Sequence, residues 1–213
     1  MTVMSTDPKQ WSVGLVGYGE VGRIIAEDLR SQDVKVSAYD LKLRSDQTGG
    51  ALRDHASSHG VALANSHADL AAQADFIVSA VTASQAVPVA QACSPAVKQG
   101  AWFLDFNSAS PGAKLRAAAL IDGKGGRYVE GAVMTSIPPK RIKVPLLLGG
   151  SGADASSRFR TAHRKNVRSS GQPERAPLSW PFCISPTSTT KGRRRCQLSA
   201  GRRARPLLFQ LAS

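Results

Sequence analysis

The chain has 213 residues, 42% of them hydrophobic, which supports one well-formed core plus a smaller appendage and excludes a wholly disordered chain. Its formal charge of +13 is unevenly placed: Met1–Asp154 holds 15 Lys+Arg and 14 Asp+Glu, whereas Ala155–Ser213 holds 13 Lys+Arg and one acid, Glu174. The near-neutral first part therefore lacks the basic footprint of a nucleic-acid surface, and no run of about 18 apolar residues exists to cross a membrane.

Residues 1–10 are polar, carry no signal-peptide core and read as a flexible N-terminus, so the expected location is cytoplasmic. Ser12–Val16 is short and apolar, as a buried parallel strand should be. Gly17-Tyr18-Gly19-Glu20-Val21-Gly22 follows, and then Val21, Ile24, Ile25 and Leu29 recur at helical spacing to about Arg30. Val34–Asp40 is the next strand, ending in an acid 18 residues past Gly22. Strand, glycine turn, helix and acid-ended strand together give a dinucleotide-binding fingerprint its required context. Gly17 permits the tight turn, Gly19 lets backbone approach a pyrophosphate, and Gly22 lets helix and strand pack closely. Glu20 and Val21 open the helix, whose first N–H groups have no intrahelical partner and favour an anion. Asp40 is placed to accept ribose hydroxyls and to repel a 2′-phosphate, which favours NAD over NADP. Lys42 and Arg44 partly offset that repulsion unless they are simply solvated.

The pattern then repeats. Helices are expected over Ala51–Ser58, His67–Ala74 and Gln85–Ala92, with strands over Phe76–Val81 and Ala101–Phe106. Alternation of this kind argues a doubly wound, parallel α/β sheet of the Rossmann type, occupying residues 11–153. Ligands of such sheets sit beyond the carboxyl ends of the strands. That places Thr82, Ser84, Asn107, Ser108 and Ser110 on loops facing the cofactor, although Ser110 equally suits capping a helix that begins at Pro111. Cys93, Cys183 and Cys196 have no metal-site or redox spacing, and His55, His59, His67 and His163 read as surface residues.

Three segments carry a family resemblance over Val13–Gly152. Gly14–Gly22 resembles the opening fingerprint of the β-hydroxyacid dehydrogenases, which include 3-hydroxyisobutyrate and 6-phosphogluconate dehydrogenases. Asp105-Phe106-Asn107-Ser108-Ala109-Ser110-Pro111 resembles their Asp-x-Ser-Thr-x-Ser-Pro loop, which implies that Asn107, Ser108 and Ser110 face substrate or nicotinamide. Tyr128–Val133 and Leu146–Gly150 resemble the closing strands of their cofactor domain. Where the family carries Pro-Val-Ser-Gly-Gly, this chain has Ala132-Val133-Met134-Thr135-Ser136. The resemblance implies an NAD(P)-dependent oxidoreductase acting on a small hydroxyacid, and a homodimer for the intact family. It also implies a catalytic lysine in a Gly-x-x-x-Lys-x-x-x-Asn helix after the cofactor domain. No such motif follows Gly150, where Lys165 and Lys191 are the only lysines, so no catalytic base is assigned and an incomplete, impaired enzyme is expected.

Residues 154–213 change character. Arg, Ser and Pro dominate, apolar periodicity is lost, and a basic, poorly ordered tail is expected. Three readings stand: a nucleic-acid-binding tail built on Arg193–Arg195 and Arg202-Arg203-Ala204-Arg205, a solvated extension, or coding DNA read out of frame. The third is favoured. Starting each codon of Ser179–Lys191 at its third base permits an amphipathic run suited to the missing helical domain. The aromatic residues Phe159, Trp180, Phe182 and Phe209 are too sparse for strong base stacking. The alternatives to the enzyme are thus a non-catalytic dinucleotide binder or a tail-driven nucleic-acid binder.

Overall fold

The computed structural model describes residues 10–150 and the backbone of 206–208, all within one compact unit. Apart from Gln10 and residues 206–208, the N-terminal segment and basic tail expected above lie outside the described residues.

The sheet forms because its strands are apolar on both faces and so are covered on both. Ser12–Val16 (β1) lies at its centre, hydrogen-bonded in parallel to Lys35–Tyr39 (β2) and to Phe76–Ser79 (β4). Ala62–Leu63 (β3) extends one side in parallel. Trp102–Asp105 (β5) and Arg127–Val133 (β6) extend the other, also in parallel. Pro145–Gly149 (β7) and Pro206–Leu208 (β8) then add antiparallel strands, giving the order β3-β2-β1-β4-β5-β6-β7-β8. The fold is therefore the expected Rossmann-type α/β sheet, with two strands reversed at one edge. Their reversal has a simple cause. The β6–β7 connection holds only Ile137–Lys140 and a 3-10 turn at Arg141–Lys143, too little for the crossover a parallel return needs.

Side chains alternate between two cores, as period two requires. Val13, Leu15, Val36, Phe76, Val78, Trp102 and Leu104 meet Ile25, Ala26 and Leu29 of Glu20–Arg30 (α1). On the opposite face Val16, Ile77 and Phe103 pack with Leu70 and Ala71 of His67–Gln73 (α3), and with Val89, Ala90 and Cys93 of Ala86–Cys93 (α4). Ala117 and Ile121 of Pro111–Asp122 (α5) complete this second layer.

Asp46–Ser58 (α2) begins five residues before the helix expected from Ala51. Gly49 and Gly50 lower helix propensity there, but Gly49, Leu52 and Ala56 are buried, and tertiary packing overrides that cost. At the far edge the covering helices stop short. Ala132 pairs with Leu147 across β6 and β7, and both are exposed on the side that Tyr128 shares with α5. Leu115 of α5 is 72% exposed.

Asp75 secures the start of β1: its carboxylate accepts the Ser12 N–H at 3.0 Å and the Lys98 ammonium at 2.9 Å. Burial works to raise its pKa, but the Ser12 N–H and Lys98 outweigh it and hold the carboxyl below its ordinary range. A depressed folded-state pKa contributes stability above the unfolded value, and that contribution is lost as pH falls through the folded one. Asp75→Asn is therefore expected to be less stable than the parent protein at neutral pH. The two should converge in strong acid, as read by urea unfolding at a series of pH values.

Candidate dinucleotide site

The chain leaves β1 at Gly17, whose φ of +91° belongs to the left-handed region. A Cβ there would collide with the carbonyl of Ala80 at the end of β4, so the turn lies hard against the neighbouring strand. A Cβ on Gly22 would strike the Gly17 carbonyl oxygen, so α1 also sits directly against this turn. Gly19 is the opposite case: a Cβ built there meets nothing within 4 Å. It is the N-cap of α1 and provides no side-chain cap. The N–H groups of Glu20, Val21 and Gly22 thus open, without intrahelical partners, beside a glycine that leaves space above them. An anion is what such a helix end attracts.

Asp40 follows β2 and is partly exposed. One carboxylate oxygen accepts the Tyr18 N–H at 2.8 Å and the other accepts the Lys42 N–H at 2.9 Å. The second bond caps the 3-10 turn Leu41–Arg44. Each carboxylate oxygen has a further lone pair for a ribose hydroxyl. The Arg44 guanidinium donates to the Tyr39 hydroxyl at 2.9 Å, while Lys42 is exposed.

Two residues turn their side chains elsewhere: Tyr18, read as part of the cofactor-binding fingerprint, and Asn107, expected to face substrate or nicotinamide. The Tyr18 side chain is fully buried, its hydroxyl 2.9 Å from His55 Nδ1, and burial pushes its pKa up to about 12. Only its backbone belongs to the loop. Asn107 is 4% exposed. Its carbonyl oxygen accepts the Val81 N–H at 2.7 Å and its amide donates to Ser79 Oγ at 3.0 Å, clamping the ends of β4 and β5 together. A buried amide must satisfy its own polar atoms, and here the neighbouring strand does so. Ser110 caps α5 by accepting the Ala113 N–H at 3.3 Å, and Pro111 follows at the helix start. Thr82, with Oγ1 3.3 Å from Ser84 Oγ, and Ser108 remain exposed on the loops after β4 and β5.

Under the second loop lies a buried ion pair that the residue pattern does not announce. Asp105 is 1% exposed, ion-paired to Lys114 at 3.2 Å and accepting the Tyr128 hydroxyl at 2.6 Å. It also accepts the Asn107 N–H at 2.8 Å, which fixes the start of the 107–110 loop. Burial, then the Asp105 carboxylate, raises the Tyr128 hydroxyl far above the ordinary phenol range. His55 is likewise no surface residue: its side chain is 13% exposed and bridges Tyr18 to Glu27.

Residues 12–154 match the family described as the NAD binding domain of 6-phosphogluconate dehydrogenase. The chain belongs to this family. The fold matches a conserved hypothetical protein from Sinorhizobium meliloti 1021 at 35% identity and TM-score 0.65, over 68% of this chain and 49% of that one. It also matches conserved protein MTH1747, described as structurally similar to 3-hydroxyacid dehydrogenases, at 29% identity and TM-score 0.57, over 69% and 53%. Mycobacterium tuberculosis 3-hydroxyisobutyrate dehydrogenase, solved with L-serine, matches at 18% identity and TM-score 0.60, over 70% and 50%. No curated protein matches the sequence. This chain spans about half the length of those three structures, 49–53%. The family's NAD-binding domain is thus the part described, and the lysine motif implied above would fall after Gly150, outside the described residues.

Proposed function

We propose that this chain is the cofactor-binding half of an NAD(P)-dependent oxidoreductase of the β-hydroxyacid dehydrogenase type, with NAD preferred. The observation that carries the reading is the opening at Gly19 above the uncapped start of α1, with Asp40 at the end of β2. The residues fit a dinucleotide. The N–H groups of Gly19–Gly22 would hold the pyrophosphate, Asp40 the adenosine ribose, and Thr82 and Ser108 would border the nicotinamide end. When bound, the nicotinamide supplies a hydride acceptor or donor. Two features favour NAD: the Asp40 carboxylate would lie against a 2′-phosphate, and Arg44 is drawn to the Tyr39 hydroxyl.

A small hydroxyacid is the proposed substrate, a homodimer the proposed state of an intact relative, and the cytoplasm the proposed location. No described helix is long and apolar enough to cross a membrane. The absence of a Gly-x-x-x-Lys-x-x-x-Asn motif after Gly150 favours a second reading, a dinucleotide binder with little or no turnover. Turnover of a 3-hydroxyacid with NAD supports the enzyme. Affinity for DNA or RNA that falls steeply with salt and depends on residues 154–213 supports a nucleic-acid binder instead.

Thermal melting with NADH, NADPH or neither is the test. At a ligand concentration about 100 times Kd, binding adds roughly 2.7 kcal/mol, a rise of about 5–10 °C for a chain of this size. The expected result is a clear rise with NADH and a smaller one with NADPH. A cooperative melt unmoved by either cofactor overturns the reading.

A further inference from the structure

On the α1–α2 side of the sheet, away from the strand ends, Glu27, His55 and His59 each bring one ligand-type atom within 4.8 Å of the other two. His55 and His59 are four residues apart at the end of α2, which sets two imidazoles on one helix face. Their rings stack at a centroid distance of 4.2 Å. Glu27 lies across from them on α1, with Oε1 3.0 Å from His55 Nε2. We propose that Glu27, His55 and His59 form a binding site for a divalent transition-metal ion of the zinc class, with an open fourth position.

The donor set suits such an ion, since imidazole nitrogen and carboxylate oxygen are ordinary zinc ligands. At zinc–ligand distances of 2.0–2.1 Å, tetrahedral neighbours stand about 3.3 Å apart. The Glu27–His55 spacing is already close to that. His59 is exposed, and coordination requires its ring to leave the stack on His55 and turn a nitrogen toward the other two ligands. Neighbouring contacts bear on each ligand's protonation. His59 Nδ1 lies 2.9 Å from the His55 carbonyl oxygen and 3.0 Å from Ser58 Oγ; in the tautomer whose Nδ1–H donates to that carbonyl, Nε2 is the nitrogen free to ligate. Because the Glu27 carboxylate only accepts, its 3.0 Å contact puts a proton on His55 Nε2 in this structure; Nε2 becomes a ligand once that proton shifts to Nδ1, where the Tyr18 hydroxyl 2.9 Å away can accept the hydrogen bond. Arg141 binds Glu27 through Oε2 at 2.6 Å, leaving Oε1 for the ion, and Asp28 holds the same guanidinium at 2.6 Å. The carboxylates of Glu27 and Asp28 face the Arg141 guanidinium, and a second guanidinium, Arg30, donates to the His59 carbonyl at 3.3 Å.

The site does not involve the Gly19 opening, so its test is independent of dinucleotide binding. Purified full-length chain, freed of metal by chelation, is titrated with Zn²⁺ by calorimetry and with Co²⁺ by visible absorption. The expected result is a saturable equivalent of Zn²⁺ and a Co²⁺ spectrum of tetrahedral nitrogen and oxygen ligation. His59→Ala, at an exposed position, should melt like the parent yet lose that equivalent or bind it at least about tenfold more weakly. Glu27→Gln should weaken it as well, and His67→Ala should not. No saturable binding, or a stoichiometry and affinity that His59→Ala leaves unchanged, overturns the site.

Discussion

Gly17→Ala is expected to destabilise the domain by about 2–5 kcal/mol, whereas Gly19→Ala, two residues on, should cost far less stability and weaken NADH binding at least tenfold. Gly17 has φ +91°, where an L residue is strained by about 1–2 kcal/mol, and its new methyl meets the Ala80 carbonyl. Overpacking against backbone adds roughly 1–3 kcal/mol because the β4 end has no rotamer to change. Gly19 has φ −75°, a value alanine adopts freely, and its methyl enters open space. That space is where a pyrophosphate would approach the start of α1, so the liganded state is the one mainly affected. Urea unfolding separates the first effect and NADH fluorescence titration the second. If Gly19→Ala binds NADH like the parent protein, the opening above α1 is not the phosphate site.

Asp105→Ala should be the most damaging substitution among the described polar residues, at about 3–5 kcal/mol. It leaves Lys114, itself 6% exposed, without its buried counter-charge, and removes the acceptor of the Tyr128 hydroxyl. The same change releases the Asn107 N–H, so the loop carrying Ser108 loses its anchor. Combining Asp105→Asn with Lys114→Met, which removes both charges, should recover much of the loss, since a buried ion pair is mainly costly to break on one side. Unfolding midpoints of the single and double variants decide the matter. A cost below about 1 kcal/mol for Asp105→Ala would show the pair to be open to water.

The parts of this molecule that were legible in its residues are those governed by local rules. Gly17 and Gly22 sit where backbone touches backbone, and the strand, glycine turn and helix order states that requirement directly. The alternating strands announce a sheet covered on both faces, and the structure then puts Val13 and Leu15 in one layer and Val16 in the other. What stayed hidden depends on partners distant in sequence. Asn107 looks like a ligand-facing polar residue until Val81 and Ser79 are brought beside it. Tyr18 lies within the fingerprint, yet its direction is decided by His55, 37 residues later. Lys114 sits one position after buried Ala113 on α5, and only the Asp105 carboxylate beneath it explains a buried ammonium. The helix start at Asp46 was masked by two glycines whose cost only tertiary packing offsets.

On the proposed NAD-preferring reading, the bond from the Tyr18 N–H to Asp40 constrains how that preference could be re-engineered. Admitting a 2′-phosphate calls for removal of the carboxylate charge, and the obvious change, Asp40→Ala, also removes the acceptor that holds the glycine loop to the end of β2. On that reading, the charge facing the ribose and the shape of the loop both rest on this one residue. A route from NAD to NADP has to pass through asparagine, serine or threonine, which keep an oxygen for Tyr18. Recruiting Arg44 to the phosphate then requires Tyr39→Phe, to release the guanidinium from its present partner.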